Sequence, residues 1–445
     1  MKKGIRLISL CCSIFIATGI FAGCGSNNPN TATPSAKEPS NKKVVLRMSW
    51  WGSEARHKAT LDAIQLYMDK NQNIKIEGEY AAFDAYYQKL MTQFAGGTAP
   101  DIIQVSSTWL SELTNYKGSS ILVDYKKDEA VKDIDLKVFD SAILNNVCTV
   151  NDKLVGLPSA INADPSLIIN SDFFGKYNIP VDTVWNWDNL LSKGKEVHAK
   201  DKNAYLLHSD ISSIRQLFAT YISQKTGKQF IGNDYKLGFD KNNVVDAFKY
   251  LQTLYAEGVV QPYSESLAFD NKPQESPKWV NGETGMIGTP LGTFSAFESE
   301  KFKCVGSLYP VGKDAKDSFL GLTSTMLIAI NNKSENKKES SDFINWFFND
   351  KDAISTLGEV RGPQPTENGR KILLEANKTD TIVNDAINRV SNQKGTTQNL
   401  LYVAATFQKV VDYSIQKVLF NKATPEAAAD ELIQQLLQKC EESKK

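Results

Sequence analysis

The sequence lacks an excess of charge of either sign. Its 445 residues include 51 lysine and arginine residues and 51 aspartate and glutamate residues. Proteins that bind nucleic acid usually carry a basic excess, and disordered chains combine high net charge with few apolar residues. Because 41% of the residues are hydrophobic, we expect a globular protein that does not bind nucleic acid. At this length we expect two domains rather than one core.

Cysteine and histidine are scarce as well. Six cysteines in the whole chain are too few for a disulfide scaffold. Cys148, Cys304 and Cys440 lie far apart without metal-ligand spacing, so they are predicted to be small buried residues. The three histidines are not spaced as zinc ligands. We therefore expect neither a metal site nor another cofactor.

Motifs of common enzyme classes are missing from the sequence. The phosphate-binding G-x-x-x-x-G-K-[ST], the nucleophile elbow G-x-S-x-G, the zinc motif H-E-x-x-H and the redox motif C-x-x-C do not occur. A glycoside hydrolase that works through two carboxylates has no such short motif. We expect a protein that is not an enzyme, with a surface glycan-active enzyme as the alternative.

Long hydrophobic runs are absent except at the start of the chain. Residues 1–23 begin with a cationic stretch, which is followed by an apolar run of 16 residues from Leu7 to Ala22. That run is shorter than the roughly 20 residues that a membrane-spanning helix needs. Residues 1–23 are therefore predicted to be an export signal.

The end of this signal resembles a bacterial lipobox. Phe21, Ala22 and Gly23 precede Cys24, whose thiol would carry a diacylglycerol anchor after cleavage. An ordinary secretory signal with an incidental cysteine is the alternative. The polar residues 24–42 have no apolar period and are predicted to form a flexible tether. Together these features predict a protein anchored by lipid on the extracellular face of a cell membrane, in an envelope of the Gram-positive type.

The body of the chain begins as alternating strands and helices. β-Forming residues and helical spacing predict strands at 44–51, 74–80 and 101–105 and helices at 57–70 and 83–94. This order is typical of a parallel α/β sheet, in which ligands bind beyond the carboxyl ends of the strands. The loops at 50–57, 80–87 and 104–109 are therefore predicted to lie at a binding site.

Short motifs with a constant order extend along the rest of the chain. They are GGTAPDIIQV at 96–105, GLPS at 156–159 with LIINSDFF at 167–174, VWNWDNL at 184–190, WVNGETGM at 279–286 and ATPEAA at 423–428. In this order they resemble the extracellular solute-binding proteins of carbohydrate ABC importers, the maltose-binding-protein-like group. Ile169 and Gly285 depart from the usual Tyr and Ala of that pattern, so the sugar cannot be transferred from a relative.

The resemblance implies a two-lobed α/β fold of the periplasmic-binding-protein type. Each lobe would hold a mainly parallel sheet flanked by helices, and hinge strands would join the lobes. We expect an N-terminal lobe at 42–161 and 321–352 and a C-terminal lobe at 162–320 and 353–445. A monomer would clamp an oligosaccharide between the lobes and deliver it to the transmembrane subunits of an ABC permease by hinge closure.

Sugars present apolar faces and hydroxyl rims, which suit aromatic and planar polar side chains. Trp50, Trp51, Glu54, Arg56 and His57 follow the first strand. We expect one of the two tryptophans to stack on a sugar ring while strand alternation places the other in the core. Glu54, Arg56 and His57 are candidates for hydroxyl binding, although His57 is equally well explained as a solvated residue at the start of a helix.

Further candidates lie at the other predicted strand ends, lobe crossings and nearby loops. They are Tyr80, Gln104, Ser106, Trp109, Asn162, Asp164, Phe294, Thr323 and Arg361. Asp164 has an alternative role in a turn before Pro165. Phe83 and Tyr87 are interpreted as core residues, and Asp101 as a structural cap.

The predicted ligand is a neutral oligosaccharide, because two adjacent tryptophans favour stacking. The alternative is a uronic-acid oligosaccharide. Arg56 and Arg361 would then hold carboxylates through paired hydrogen bonds.

Overall fold

The computed structural model describes residues 43–270, 272–379, 381–393 and 395–444. The predicted signal, the predicted tether and the predicted lipidation site Cys24 lie outside these residues. None of the helices in the described part of the chain is long and apolar enough to span a membrane. The same residues contain no cluster of side chains that could hold a metal ion.

The described residues form thirteen strands. In chain order they are β1 Val44–Trp51, β2 Ile74–Ala81, β3 Ile102–Ser106, β4 Thr149–Val150, β5 Lys153–Leu154, β6 Leu157–Pro158, β7 Asn162–Asp164, β8 Ser166–Asn170, β9 Tyr205–Leu207, β10 Thr284–Gly288, β11 Cys304–Leu308, β12 Gly321–Thr323 and β13 Met326–Ile330.

Seventeen α-helices occur in the same part of the chain. They are α1 Glu54–Lys70, α2 Phe83–Gly96, α3 Leu110–Thr114, α4 Ser141–Asn146, α5 Ser171–Tyr177, α6 Trp187–Lys200, α7 Ile211–Thr226, α8 Lys241–Ala256, α9 Tyr263–Ser266, α10 Pro277–Val280, α11 Lys337–Asn349, α12 Lys351–Leu357, α13 Glu367–Glu375, α14 Thr381–Gln393, α15 Leu400–Val403, α16 Ala405–Leu419 and α17 Pro425–Ser443. Short 3-10 helices include Ser107–Trp109 and Leu291–Ala296.

The strands form two main sheets. The first has the order β2-β1-β3-β13-β6, and the second has the order β11-β8-β10-β9. In the first sheet β1 runs parallel to β2 and β3, whereas β13 is antiparallel to β3 and β6. In the second sheet only the β9–β10 pair is parallel among the described strands. The sheets are therefore more mixed than the predicted mainly parallel pattern, because β13 in the first sheet and β8 in the second run opposite to both of their neighbours.

A two-stranded ribbon links the two sheets along the chain. β7 pairs antiparallel with β12, with Asn162 opposite Thr323 and Asp164 opposite Gly321. β7 leads from β6 of the first sheet to β8 of the second, and β12 leads from the second sheet back to β13 of the first. The ribbon therefore consists of two chain crossings side by side.

The early elements match their predicted bounds closely. β1 spans 44–51 as predicted, and α2 ends at Gly96, where Gly97 adopts a left-handed φ of 70°. α1 begins at Glu54 rather than at residue 57, because the Ser53 side chain caps it by accepting a hydrogen bond from the Arg56 amide. The last helix, α17, has Thr424 as its N-cap and Pro425 in its first turn.

The segment 279–286 changes from helix to strand. α10 stops after Val280, and Gly282 adopts a left-handed φ of 69° before strand β10 begins. Trp279 is buried, and its Nε1 donates to the Phe297 carbonyl at 3.0 Å. The change from helix to strand lets the buried residues of β10 pair with β8 and β9.

Several structural interpretations of single residues are confirmed. Cys148, Cys304 and Cys440 are buried and free. Asp101 accepts hydrogen bonds from the Arg47 amide at 2.8 Å and from the Ser334 hydroxyl at 2.5 Å. These hydrogen bonds hold the start of β3 against β1 and the segment at Ser334. Asp101 therefore has a structural role.

Candidate functional site

The two adjacent tryptophans at the end of β1 point to opposite faces of the first sheet. Trp50 is 0% exposed, and its Nε1 donates to His57 Nδ1 at 3.1 Å. The His57 ring stacks on Tyr80 at a centroid distance of 4.3 Å. His57 is buried, and burial lowers its pKa, so the ring is neutral with its hydrogen on Nε2. Trp50 and His57 therefore belong to the packing between β1 and α1.

Trp51 lies on the other face within an aromatic cluster, which we define as Trp51, Phe83, Tyr86, Tyr87 and Trp109. The Trp51 ring lies 5.4 Å from Phe83, 5.3 Å from Tyr86 and 5.2 Å from Trp109. Trp109 stacks on Phe83 at 5.6 Å and contacts Tyr87 at 4.6 Å. The cluster brings together the carboxyl ends of β1 and β3 and the first turns of α2.

The outer members of the aromatic cluster are accessible. Phe83 is 49% exposed, and Trp109 and Tyr87 are half-buried. The sequence interpretation of Phe83 as a core residue is wrong, because its side chain is about half exposed at the start of α2. The cluster can offer Trp109 and Phe83 as a flat apolar surface to a ligand.

Buried hydrogen bonds support the aromatic cluster through its member Tyr86 and through Gln104 and Ser106. The buried Tyr86 hydroxyl donates to the Gln104 carbonyl at 2.8 Å, and burial raises its pKa. Gln104 is fully buried; its Nε2 donates to the Trp51 carbonyl at 3.3 Å, while its Oε1 has no hydrogen-bond partner in the described part of the chain. The Ser106 hydroxyl pairs with Thr108 and caps the turn that carries Trp109. Gln104 and Ser106 thus hold the aromatic surface in place.

Arg56 lies beside the cluster in the first turn of α1. Its Nε donates to the Val360 carbonyl at 3.0 Å, and its Nη1 donates to the Trp51 carbonyl at 3.0 Å and contacts Met326 Sδ at 3.4 Å. Its Nη2 has no hydrogen-bond partner among the described residues, and the side chain is only partly buried. Burial lowers its pKa from the ordinary value. Arg56 is therefore a cation whose Nη2 can still donate hydrogen bonds to a ligand.

The β7–β12 ribbon carries a second, polar group. Asn162 and Asp164 are two residues apart on β7, and Thr323 lies directly opposite Asn162. Such residues share one face of the ribbon. No hydrogen bond or ion pair holds the Asp164 carboxylate in the described part of the chain, and burial raises its pKa to about 6. An amide, a hydroxyl and a carboxylate together suit the hydroxyl rim of a sugar.

The segment that follows the β7–β12 ribbon connects its polar residues to the aromatic cluster. The amide of Ser107, two residues before Trp109, donates to the Thr325 carbonyl at 3.1 Å. Met326 begins β13 and contacts both Arg56 Nη1 and Gln104 Nε2. The turn with Trp109 also contacts α15, a helix that leads into α16 on the second half of the chain. The aromatic cluster, Arg56 and the ribbon therefore form one candidate site near the chain crossings.

The other predicted residues lie elsewhere or cannot be placed. Glu54 is exposed in the first turn of α1. Tyr80 is 45% exposed but pairs with Trp50, on the face opposite Trp51. Arg361 is buried, and its Nη2 donates to the hydroxyl of Thr60 on α1. The side chain of Phe294 lies outside the described residues.

Comparisons with known proteins agree with this architecture. Residues 51–354 match the family described as bacterial extracellular solute-binding protein. A protein of Brucella abortus (strain 2308) named as a binding protein is 24% identical over 322 residues, which cover 71% of this chain and 73% of that protein.

Two solved structures show the same fold. A periplasmic oligogalacturonide-binding protein of Yersinia enterocolitica is 24% identical, with a TM-score of 0.79 over 90% of this chain and 100% of that one. A de novo designed cysteine esterase is 24% identical, with a TM-score of 0.80 over 91% of this chain and 100% of that one. The two-lobed α/β fold predicted from the sequence is confirmed by these matches.

Proposed function

Because the chain belongs to the bacterial extracellular solute-binding proteins, we propose that it is the substrate-binding subunit of an ABC importer for an oligosaccharide. The observation that carries the proposal is the aromatic cluster beside the polar β7–β12 ribbon. Trp109 and Phe83 would cover the apolar face of a sugar ring, while Asn162, Asp164 and Thr323 would bond its hydroxyls.

We propose the ribbon as part of the hinge between an N-terminal lobe and a C-terminal lobe. Two of the predicted lobe boundaries, at 161/162 and 320/321, coincide with the starts of β7 and β12. The third predicted boundary lies at 352/353. α12 packs against α1 and α11, and α13 packs against α11 and α12, which favours a last crossing after residue 375. Closure of the lobes on the sugar would present the form that the permease transmembrane subunits recognise.

A uronic-acid oligosaccharide is the second candidate ligand, and one observation favours it. Arg56 keeps Nη2 free at the site and has no carboxylate partner among the described residues. A carboxylate of the ligand would satisfy this cation. The oligogalacturonide-binding protein of Yersinia enterocolitica shows that the fold can accommodate such ligands. Arg361 no longer supports this candidate, because its side chain is buried away from the cluster.

The test is a titration of the purified full-length protein in detergent with neutral and uronate oligosaccharides. We expect micromolar or tighter binding of one class by calorimetry, with a rise in melting temperature as the ligand saturates the protein. The recovered sugar should be intact, as required of a binding protein. Cleavage products would support the glycan-active enzyme, and the absence of binding to either class would contradict the proposal.

We also propose that the protein is held on the extracellular face of the membrane by lipid on Cys24. The support is the lipobox-like sequence at 21–24 and the polar stretch that follows it. The Cys24→Ser variant is expected to leave the membrane fraction of cells, whereas wild type stays in it. Metabolic labelling with a fatty acid gives an independent measurement, and labelled Cys24→Ser protein would contradict the proposed attachment site.

A further inference from the structure

The carboxylate of Asp164 on the β7–β12 ribbon is an acceptor without a partner. The residue is only partly buried, and neither of its carboxylate oxygens is fully closed off from solvent. In the described part of the chain no hydrogen bond or ion pair reaches it. A carboxylate that has lost most of its water is unfavourable unless another group bonds it. A ligand that enters the site can supply that group.

The hydroxyls nearest to this carboxylate donate to other acceptors. Burial raises the pKa of Tyr309 and of Tyr402, and the charge of Asp164 raises both further, so both rings lie near it. The Tyr309 hydroxyl donates to the Ser213 carbonyl at 3.2 Å, and the Tyr402 hydroxyl donates to the Arg215 carbonyl at 3.3 Å. Neither hydroxyl hydrogen is therefore available to Asp164.

The other charged groups of this region already have partners. The Arg215 guanidinium donates to both oxygens of Asp412, at 2.6 Å and 2.7 Å. Asp210 is the N-cap of α7, and its carboxylate accepts from the Ser213 amide at 3.0 Å and from the Ser213 hydroxyl at 2.5 Å. Of these three acids, Asp164 is the one whose oxygens are left for a ligand.

The main elements packed against β7 offer no cation to Asp164. β12 and the 3-10 helix Leu291–Ala296 contain no charged residue. The charged residues of α14, which packs against β7 and β12, are Asp385 and Arg389. Both are exposed, and Arg389 donates to the Gly306 carbonyl. The charge of an ionised Asp164 is therefore not neutralised by these elements.

We propose, on the basis of the oligosaccharide-binding function above, that Asp164 selects an uncharged sugar residue at the ribbon, whatever residue binds near Arg56. The hydroxyls of that residue donate to the ionised carboxylate, whereas a ligand carboxylate at the same place meets a like charge. Burial raises the pKa of Asp164 to about 6. In slightly acidic solution the carboxyl is therefore partly protonated, and the sugar displaces its proton to the buffer.

The first experiment titrates the full-length protein in detergent with cellotriose, xylotriose and maltotriose between pH 5 and pH 7.5. We expect binding to be about tenfold weaker at pH 5, because about nine tenths of Asp164 is protonated there and only the ionised form accepts both hydroxyls. At pH 6 wild type should release about half a proton per ligand, as measured by calorimetry in buffers of different ionisation enthalpy.

Two outcomes of this titration have different meanings. An affinity that does not change with pH would overturn the selection by Asp164 and leave the proposed function intact. The absence of binding by these sugars and by trigalacturonate at every pH would contradict the proposed function itself.

The second experiment compares Asp164→Asn with wild type. The variant should bind the neutral sugar with an affinity that no longer changes between pH 5 and pH 7.5. It should bind trigalacturonate, which carries a carboxylate on every residue, at least tenfold more tightly than wild type does at pH 7.5. Wild type that prefers trigalacturonate to the neutral sugars at pH 7.5, or a variant that keeps the pH response, would overturn the proposal.

Asp210→Asn is the matched control. Burial also raises the pKa of Asp210 to about 6, but its carboxylate is used within α7, and asparagine is an equally good N-cap. This variant should keep the pH response of wild type. Loss of the response in Asp210→Asn alone would assign the proton to Asp210 and contradict the role of Asp164.

Discussion

The Trp109→Ala variant is expected to bind oligosaccharide about 30-fold more weakly than wild type. Trp109 is the half-buried member that stacks on Phe83 with an interplanar angle of 18°. Its removal takes away the larger half of the apolar surface proposed for the sugar ring, and a lost aromatic contact of this kind costs about 2 kcal/mol. Calorimetric titration of both proteins with the ligand identified for wild type measures the ratio.

The matched control for this prediction is Trp346→Ala. Trp346 is also half-buried, but it lies on α11 against Tyr67 and Phe343, away from the aromatic cluster. Each variant loses one tryptophan from the proposed N-terminal lobe, so both should melt at a lower temperature than wild type. Only Trp109→Ala should lose affinity. Equal affinities in the two variants would remove Trp109 from the proposed site.

The opening elements were predictable because local signals agree there. Strand alternation at 44–51 and the Gly96–Gly97 pair at the end of α2 define β1 and α2 without tertiary information. The same alternation predicts that Trp50 and Trp51 point to opposite faces of β1 and that one of them enters the core. The structure buries both, Trp50 against His57 of α1 and Trp51, 7% exposed, within the aromatic cluster. Alternation could not show the burial of Trp51, because it depends on Phe83, Tyr86 and Trp109 from other elements.

The remaining differences come from contacts between distant parts of the chain. Helical spacing gives Phe83 an apolar position but does not show that this position, at the start of α2, is exposed. Arg361 stands in a loop rich in glycine and proline, where a surface position is the usual expectation. It is buried because Thr60, some 301 residues earlier in the chain, accepts its hydrogen bond. Such a partner cannot be identified from one sequence.

The Arg56→Gln variant is expected to separate the two candidate ligands. If the ligand is a uronate oligosaccharide, its affinity should fall about 100-fold, since charged hydrogen bonds to a carboxylate contribute about 3 kcal/mol. Binding of a neutral oligosaccharide should change less than threefold. Glutamine keeps a donor for the Val360 or Trp51 carbonyl, so the loop around Arg56 retains part of its support. Calorimetry with di- and trisaccharides of both classes gives the two ratios.

Arg47→Gln is the control for the loss of one positive charge from the proposed N-terminal lobe. Arg47 lies on β1, and its guanidinium already forms an ion pair with Glu79. We therefore expect it not to bind a carboxylate of the ligand. It should leave both affinities unchanged, whereas a general effect of net charge would weaken uronate binding in both variants. A similar loss of neutral and uronate binding in Arg56→Gln would assign Arg56 to positioning Trp51 and Met326. The free Nη2 edge would then have no role in selecting the ligand, and the neutral oligosaccharide would be the better supported substrate.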